Sequence, residues 1–248
     1  MRKHLIWVLG VAVALAFAGV AAGAANTQTI TGKVTPKKLP KSSKAPVALS
    51  INVASTNPSN PQGIPNATTL AKVDFDKDIK VQQKGLPTCD STQFGSQSTT
   101  QDVKQACPDA IIGSGSATIL LRSGPGAPPL TVHAQTVAAN VKGNKILLHS
   151  YTQEAGGVPL VGSFIKSDGG SKYGQELSVP VPALAGGQGV ITQFGVNTKK
   201  LTYQFHHKTL SYASASCKDK KIQFQARFTD DQGNLAKGTS TQKCKQKG

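Results

Sequence analysis

Apolar and polar side chains alternate most clearly over residues 71–82. The odd positions carry the apolar residues Val73, Phe75, Ile79 and Val81. The even positions carry the polar residues Asp74, Asp76, Asp78 and Lys80. A repeat of two residues is the period of a β-strand with one buried face and one wet face. The pattern therefore predicts a strand here, with the three aspartates in water beside lysines.

Short apolar runs separated by Gly and Pro fill most of the remaining chain and indicate further strands. We predict them at residues 47–54, 116–122, 130–138, 145–151, 158–166, 175–179, 190–196 and 201–205. A last hairpin pairs residues 221–229 with 234–243 through a turn at residues 230–233. The helical period is weak everywhere, and only residues 100–106 are predicted as a helix, capped by Thr99 or Thr100. The fold class predicted is all-β, an antiparallel β-sandwich with a β-barrel as the alternative, and with one short helix at most.

The amino terminus has the pattern of a bacterial export signal. Arg2 and Lys3 precede an apolar stretch over residues 5–20, and small residues follow up to Ala25. We predict a signal peptide over residues 1–25, cleaved near Ala24 or Ala25. An uncleaved membrane anchor is the alternative, since the stretch approaches the ~20 residues that span a bilayer. The sequence thus predicts a secreted or extracytoplasmic protein.

Two further regions are predicted after the signal peptide. Residues 26–46 form a basic, proline-containing linker or edge segment, and residues 47–248 form a single β-sandwich domain. Cleavage would remove Met1 and Trp7, the only Met and the only Trp. The core is then built from Val, Ile, Leu, Ala, Phe and Tyr, which favour strands.

Four cysteines lie beyond the predicted signal peptide, and an even number in an oxidising compartment indicates two disulfides. Cys89 and Cys107 bracket the helical excursion, so we predict that they pair. Cys217 and Cys244 flank the last hairpin at equal distances from its turn, so they should lie opposite each other. A zinc site is the alternative, but the spacings and the positions of the histidines do not favour it.

Two sequence patterns resemble those of a known group of proteins. Leu86-Pro87-Thr88-Cys89 is followed by Cys107-Pro108 and then by Ile112-Gly113-Ser114-Gly115. These motifs and the tail hairpin resemble exported β-rich proteins of soil actinobacteria, over roughly residue 71 to the carboxyl end. Ala110 stands where those proteins often have Ser. The resemblance implies export, β structure and two bridges, and it implies no activity.

The chain is strongly basic, with a formal net charge of +16. Almost all of this charge is lysine, and only Arg122 and Arg227 follow the signal peptide. Few guanidinium groups are therefore present to bind bases or phosphates in a bidentate way, and specific nucleic-acid binding is not expected. Lysines concentrate in the tail, and the candidate residues for binding anionic envelope polymers or lipid surfaces are Lys218, Lys220, Lys221, Lys243, Lys245 and Lys247. A solvated face without a partner is the alternative.

Catalytic and metal-binding motifs are weak. Ser163 and Lys166 match a Ser-x-x-Lys pattern, but this chemistry needs a helix and the segment is predicted as a strand. His133 and His149 could form a metal pair across a hairpin, and His206 and His207 would point to opposite faces of a strand. The aspartates at residues 74–78 could gather around calcium, although a wet strand face is the preferred interpretation. No catalytic residue, metal or cofactor is predicted.

Three functions remain open at this stage. The first is a non-enzymatic exported protein that binds anionic cell-envelope or extracellular components. The second is a carrier of an apolar or lipid ligand between two sheets or inside a barrel. The third is a hydrolase.

Overall fold

The structure is a computed structural model that describes residues 26–122 and 128–247. The predicted signal peptide lies outside the described residues. Within them, no helix is both long enough and apolar enough to cross a membrane.

Strands dominate the chain, with one α-helix among the described residues. The helix α1 is Thr100–Ala106, and short 3-10 turns occur at Ser91–Gln93, Pro108–Ala110 and Ala185–Gly187. The strands in chain order are β1 Thr27–Thr35, β2 Lys38–Leu39, β3 Ala45–Pro46, β4 Ala48–Thr56, β5 Thr68–Asp76, β6 Ile79–Val81, β7 Ile111–Leu121, β8 Leu130–Val141, β9 Lys145–Thr152, β10 Gly156–Lys166, β11 Tyr173–Pro180, β12 Gly189–Thr198, β13 Thr202–Phe205, β14 Lys208–Ser211, β15 Ala213–Ala215, β16 Lys221–Asp230, β17 Leu235–Lys243 and β18 Lys245–Gln246.

Eleven strands form one antiparallel sheet in the order β1-β4-β12-β7-β8-β9-β10-β11-β5-β16-β17. The sheet curls until its two outermost strands, β1 and β17, lie side by side. Closing a sheet in this way removes the exposed strand edges that an open sheet would have. The result is a nearly closed barrel.

The seam, where β1 meets β17, is held by side chains instead of a backbone ladder. The Gln242 amide accepts a hydrogen bond from Val34 N at 2.6 Å and donates one to Val34 O at 3.0 Å. Ser240 Oγ accepts a further bond from Gly32 N at 3.3 Å. These bonds satisfy backbone groups of β1 that would otherwise face an edge without a partner.

Small sheets cover parts of the barrel. β3, β15 and β6 form one, β13 and β14 form a hairpin, and β2 pairs in parallel with β18. The helix α1 lies over β8 and β9 and begins with a capping box, in which Thr99 and Asp102 bond to each other's backbone N–H.

The main core lies inside the barrel. Inward residues of β1, such as Ile30 and Val34, are buried and alternate with exposed neighbours, as a strand with one wet face requires. Phe75 packs against Phe164 and Phe224, with ring centroids 6.2 and 6.3 Å away. A second cluster, which includes Val103 and Val137, lies between α1 and the outer face of β8 and β9.

The structure confirms the all-β class, the antiparallel pairing, the short helix at 100–106 and both disulfides, Cys89–Cys107 and Cys217–Cys244. Of the two architectures considered, the barrel describes the continuous hydrogen-bonded sheet. Two disulfides indicate an oxidising, extracytoplasmic compartment. Of the segment 26–46, residues 27–35 form β1, an end strand of the large sheet.

Candidate functional site

A cavity of about 110 Å³ lies inside the barrel. Its walls come from the inward faces of seven strands, β4, β5, β9, β10, β11, β12 and β16. The aliphatic and aromatic side chains that line it are Leu49, Ile51, Val53, Ala71, Val73, Phe75, Ile146, Leu148, Leu160, Phe164, Leu177, Val179, Val181, Ile191, Phe194, Val196, Tyr212 and Phe228. A cavity with such walls favours an apolar guest over water, because water needs several polar partners.

The cavity becomes polar toward one end. Along β4 the lining residues are Leu49, Ile51, Val53 and then Ser55 at the end of the strand. The loop 57–67 leads directly from there to Thr68, the first lining residue of β5. Because consecutive antiparallel strands meet at their connecting loop, Ser55 and Thr68 lie at the same end of the barrel.

Gln28 extends this polar end behind Ser55. The two residues are register partners on β1 and β4, and Ser55 Oγ donates a 2.5 Å hydrogen bond to Gln28 Oε1. Gln28 is only 5% exposed, and its Nε2 finds no acceptor within the described protein. A buried amide nitrogen without an acceptor costs stability, so a group of this kind marks a place where a ligand could bind.

Hydrogen bonds hold the loop 57–67 across the same end. Asn26 and Asn66 exchange two bonds, of 3.0 and 2.8 Å, and Asn66 Nδ2 donates to Asp230 Oδ2 at 2.9 Å. The loop therefore joins the start of β1 to the end of β16.

Tyr212 lines the cavity and is the sole ionisable residue among its walls. It is only 1% exposed, and burial raises the pKa of its phenol. Among the described residues, the walls thus contain no carboxylate, histidine or cysteine that could act as an acid, a base or a nucleophile near neutral pH.

No family model, curated protein or solved structure matches the chain.

The six candidate lysines of the tail are all exposed. Lys221 and Lys243 are register partners on β16 and β17, and the disulfide Cys217–Cys244 joins the ends of this hairpin. The Gln246 amide donates to the Cys217 and Lys218 carbonyls at 2.9 and 3.0 Å. The lysines therefore project from a rigid base.

Lysines from the amino-terminal region join this group. Pairing of β2 with β18 places Lys245 N 2.9 Å from Lys37 O and Lys247 N 2.8 Å from Leu39 O, as hydrogen bonds. Pro40 O accepts another bond, from Cys217 N at 2.8 Å. We call the resulting group of exposed lysines the basic edge, and it comprises Lys37, Lys38, Lys41, Lys218, Lys220, Lys221, Lys243, Lys245 and Lys247.

The prediction of a wet face for Asp74, Asp76 and Asp78 was wrong, because all three residues are buried. Asp76 accepts hydrogen bonds from Gln223 N and Asp78 N, and Asp78 accepts one from Lys218 N. Burial raises the pKa of the Asp76 carboxyl, although these backbone bonds oppose the rise. Backbone N–H groups of neighbouring segments take the place that water was expected to fill.

Asp74 belongs to a network of ion pairs on the outer face of the barrel. Arg227 donates to both Asp74 oxygens at 2.8 and 2.9 Å and to Glu176 at 2.7 Å. Lys72 Nζ lies 3.1 Å from both Glu176 and Asp168, and Arg227 also pairs with Asp168. The three carboxylates are close enough to hold a cation, but each of them already pairs with Arg227 or Lys72, so protein cations occupy the positions that a metal ion would take.

The structure does not bring the candidate metal pair His133 and His149 together. His149 is buried on β9, and its register partner on β8 is Val137. His133 lies on β8 four residues before Val137 and is exposed, so the two histidines are separated along the strands. His206 and His207 do not lie on a strand as predicted. They form the two-residue turn between β13 and β14, with φ of 47° and 60°, as the favoured two-residue hairpin turns require.

Two further motifs behave as expected from the sequence. Ser163 and Lys166 lie on strand β10, so the Ser-x-x-Lys pattern lacks its helix. Asp230 closes the hairpin turn by accepting hydrogen bonds from Gln232 N and Asn234 N at 3.0 and 2.8 Å.

Sequence reasoning missed the polar pair Gln28–Ser55 and the convergence of β2 with β18. Gln28 gave one local signal, since it occupies an inward position of an alternating run that otherwise carries Ile30 and Val34. The pairing of β2 with β18 joins residues more than 200 positions apart and left no such local signal.

Proposed function

We propose that the protein is an exported binding protein that holds a small apolar molecule inside its barrel. The observation that carries the proposal is the cavity of about 110 Å³ with almost entirely apolar walls. A comparable engineered cavity of ~150 Å³ in another protein stays dry and binds benzene. A guest with the bulk of one small ring, or the end of an acyl chain, suits a space of this size.

The composition of the walls supports binding without chemical conversion. The lining side chains offer hydroxyls, one amide and apolar surface, and they contribute no nucleophile paired with a base. Burial of apolar surface supplies the affinity, and the few polar groups orient the guest.

Native mass spectrometry of the protein purified from its own host tests this proposal directly. We expect an additional small mass that is released on denaturation. The variant Ala71→Leu fills the cavity and should lose this mass, while Ala54→Leu, a half-buried position on the outer face of β4, should keep it. An identical bound mass in both variants, or failure of the wild-type protein to bind benzene or toluene in an NMR titration, contradicts the proposal.

A second candidate function is attachment to anionic envelope polymers or lipid surfaces through the basic edge. The observation that favours it is the convergence of nine exposed lysines from three separate segments, within which Asp219 is the one acid. Lysine charges attract anionic surfaces weakly and without sequence specificity, and salt screens the attraction.

Co-sedimentation with purified cell walls and with anionic vesicles tests this second function. We expect binding at low salt that is lost when Lys218, Lys220, Lys221, Lys243, Lys245 and Lys247 are changed to Gln. The control changes six exposed lysines of other segments to Gln, namely Lys104, Lys142, Lys145, Lys166, Lys172 and Lys208, which gives the same net charge. Equal losses in both variants would assign the effect to net charge alone and overturn the role of the basic edge.

A further inference from the structure

The cavity has a polar end with unused hydrogen-bonding capacity. Gln28 Nε2 is buried and has no acceptor within the described protein, although Gln28 Oε1 is bonded to Ser55 Oγ. Ser55 itself lines the cavity. Gln28 is not itself a lining residue, so Ser55 is the member of the pair that faces the cavity, and the unsatisfied donor lies directly behind it.

The same conclusion holds for either orientation of the Gln28 amide. With Oε1 facing Ser55, the hydroxyl proton is used in the pair and Nε2 remains free to donate. With the amide exchanged, Nε2 would donate to Ser55 Oγ, and the hydroxyl proton would be free instead. In both cases the pair keeps one uncommitted donor, either Gln28 Nε2 behind the wall or the Ser55 hydroxyl on it.

Two other polar side chains in the walls, Thr198 and Thr192, are already engaged in hydrogen bonds. Thr198 Oγ1 accepts a hydrogen bond from Leu49 N at 2.8 Å, and Thr192 Oγ1 donates to Thr118 O at 3.2 Å. Thr68 lies at the same end as Ser55 and adds a hydroxyl there. Gln193 pairs with Ala54 in the register of β12 and β4, so it also lies toward the Ser55 end, whereas Thr198 lies at the Leu49 end and is bonded there to Leu49 N.

We propose that the ligand is an apolar molecule that carries one hydrogen-bond acceptor, such as a carbonyl or ester oxygen, which the Gln28–Ser55 pair binds. This inference rests on the proposed function, because it concerns the same cavity. The acceptor satisfies the unsatisfied donor, and the apolar remainder of the molecule extends toward Phe75 and Leu148.

A matched pair of probes separates the acceptor from shape and hydrophobicity. Acetophenone and α-methylstyrene have similar shapes. Acetophenone carries a carbonyl oxygen at the position where α-methylstyrene carries a methylene group. NMR titration of each probe would be measured with the wild-type protein and with Gln28→Leu. We expect Gln28→Leu to weaken acetophenone binding about three- to tenfold, as one hydrogen bond implies, and to leave α-methylstyrene binding unchanged or tighter.

Substitutions at Ser55 provide the control for packing. Ser55→Val and Ser55→Thr have similar volumes, but only Ser55→Thr keeps the hydroxyl. We expect Ser55→Val to weaken acetophenone binding selectively and Ser55→Thr to retain it. Thermal denaturation of each variant verifies folding, and Gln225→Leu, on the outer face of β16, should alter neither titration.

The outcomes distinguish this inference from the proposed function. If neither probe binds the wild-type protein, the proposed function itself fails. If both probes bind and Gln28→Leu changes their affinities equally, the cavity binds apolar molecules and the assignment of the acceptor is overturned.

Discussion

At the scale of single residues, Arg227 holds together the outer face of β5, β11 and β16. Its side chain is 12% exposed, while its partners Asp74 and Glu176 have fully buried side chains. The hydrogen bonds that Arg227 donates to the Asp74 carboxylate make the largest contribution to the raised pKa of the guanidinium. In turn, Arg227 and Lys72 hold the pKa of the exposed Asp168 carboxyl well below its usual range.

Replacing Arg227 by Leu should therefore lower the free energy of unfolding strongly. Two buried carboxylates would lose their main counter-ion, and breaking a buried ion pair in this way costs about 3–5 kcal/mol. Chemical denaturation measures the loss in the free energy of unfolding. The exposed Arg122 offers the matched control, since Arg122→Leu should change stability by less than about 0.5 kcal/mol. Comparable losses in the two variants would contradict the role of the network.

His149 should make the stability depend on pH. A carbonyl oxygen can only accept, so the Nε2 that bonds to Ser98 O at 2.9 Å carries the proton, and Nδ1 is buried without a partner among the described residues. Burial lowers the pKa of His149 below its ordinary value of 6.5, against the opposing effects of the Ser98 carbonyl and Asp102. The unfolded chain then binds a proton more readily than the folded protein as the pH falls below 6.5.

Above about pH 6.5, His149 should contribute no pH dependence to the free energy of unfolding. Below that pH, we expect the free energy of unfolding to decrease until the pH reaches the lower pKa that His149 has in the folded protein. Urea denaturation at pH 7.5 and pH 5.5 measures the difference. His149→Phe should reduce this difference, whereas His133→Phe, at an exposed position, should preserve it. A difference that is the same in all three proteins would exclude His149 as its source.

The residue scale also shows where sequence reasoning stops. Alternation over residues 71–82 correctly identified Val73, Phe75, Ile79 and Val81 as buried. The same pattern predicted that Asp74, Asp76 and Asp78 face water. A two-residue period separates the two faces of a strand, but it does not show which groups cover the polar face. Here the covering groups are Arg227 and Ser167, which lie 153 and 93 positions away in the chain.

At the scale of strands, the seam between β1 and β17 depends on few bonds. Gln242→Leu removes two hydrogen bonds to Val34 and leaves its buried N–H and C=O without those partners. We expect a loss of about 1–3 kcal/mol in stability and faster hydrogen exchange in β1. Gln225→Leu, at a half-buried position without a side-chain hydrogen bond, should leave both quantities nearly unchanged. Unaltered exchange in β1 of Gln242→Leu would show that other contacts close the barrel.

The individual strands and the last hairpin could be predicted because period, turns and cysteine spacing are local signals. The order of strands in the sheet could not be predicted. For example, β12 lies between β4 and β7, and β5 lies between β11 and β16. These neighbours are distant in sequence, and local patterns contain no information about which distant edges will pair.

At the scale of the whole molecule, export predicts a spectroscopic property of the mature protein. Trp7 lies in the predicted signal peptide and is the only tryptophan. The protein recovered outside the cytoplasm should therefore lack tryptophan emission, begin near Asn26 and give a far-ultraviolet spectrum dominated by β structure. Fluorescence spectroscopy and amino-terminal mapping measure these properties. Retained tryptophan emission would favour the uncleaved anchor.

The barrel is interrupted along one line, the seam, where side-chain hydrogen bonds replace the backbone ladder. In a fully closed barrel, widening must break the backbone hydrogen bonds between two neighbouring strands. In this molecule, we expect the bonds from Ser240 and Gln242 to break first, since they are few and belong to side chains with their own rotational freedom. The radius of the wall can therefore adjust locally at β1 and β17 while the ten remaining strand pairings stay intact. For a guest of the proposed kind that is somewhat larger than the resting cavity, we expect the barrel to widen along this seam.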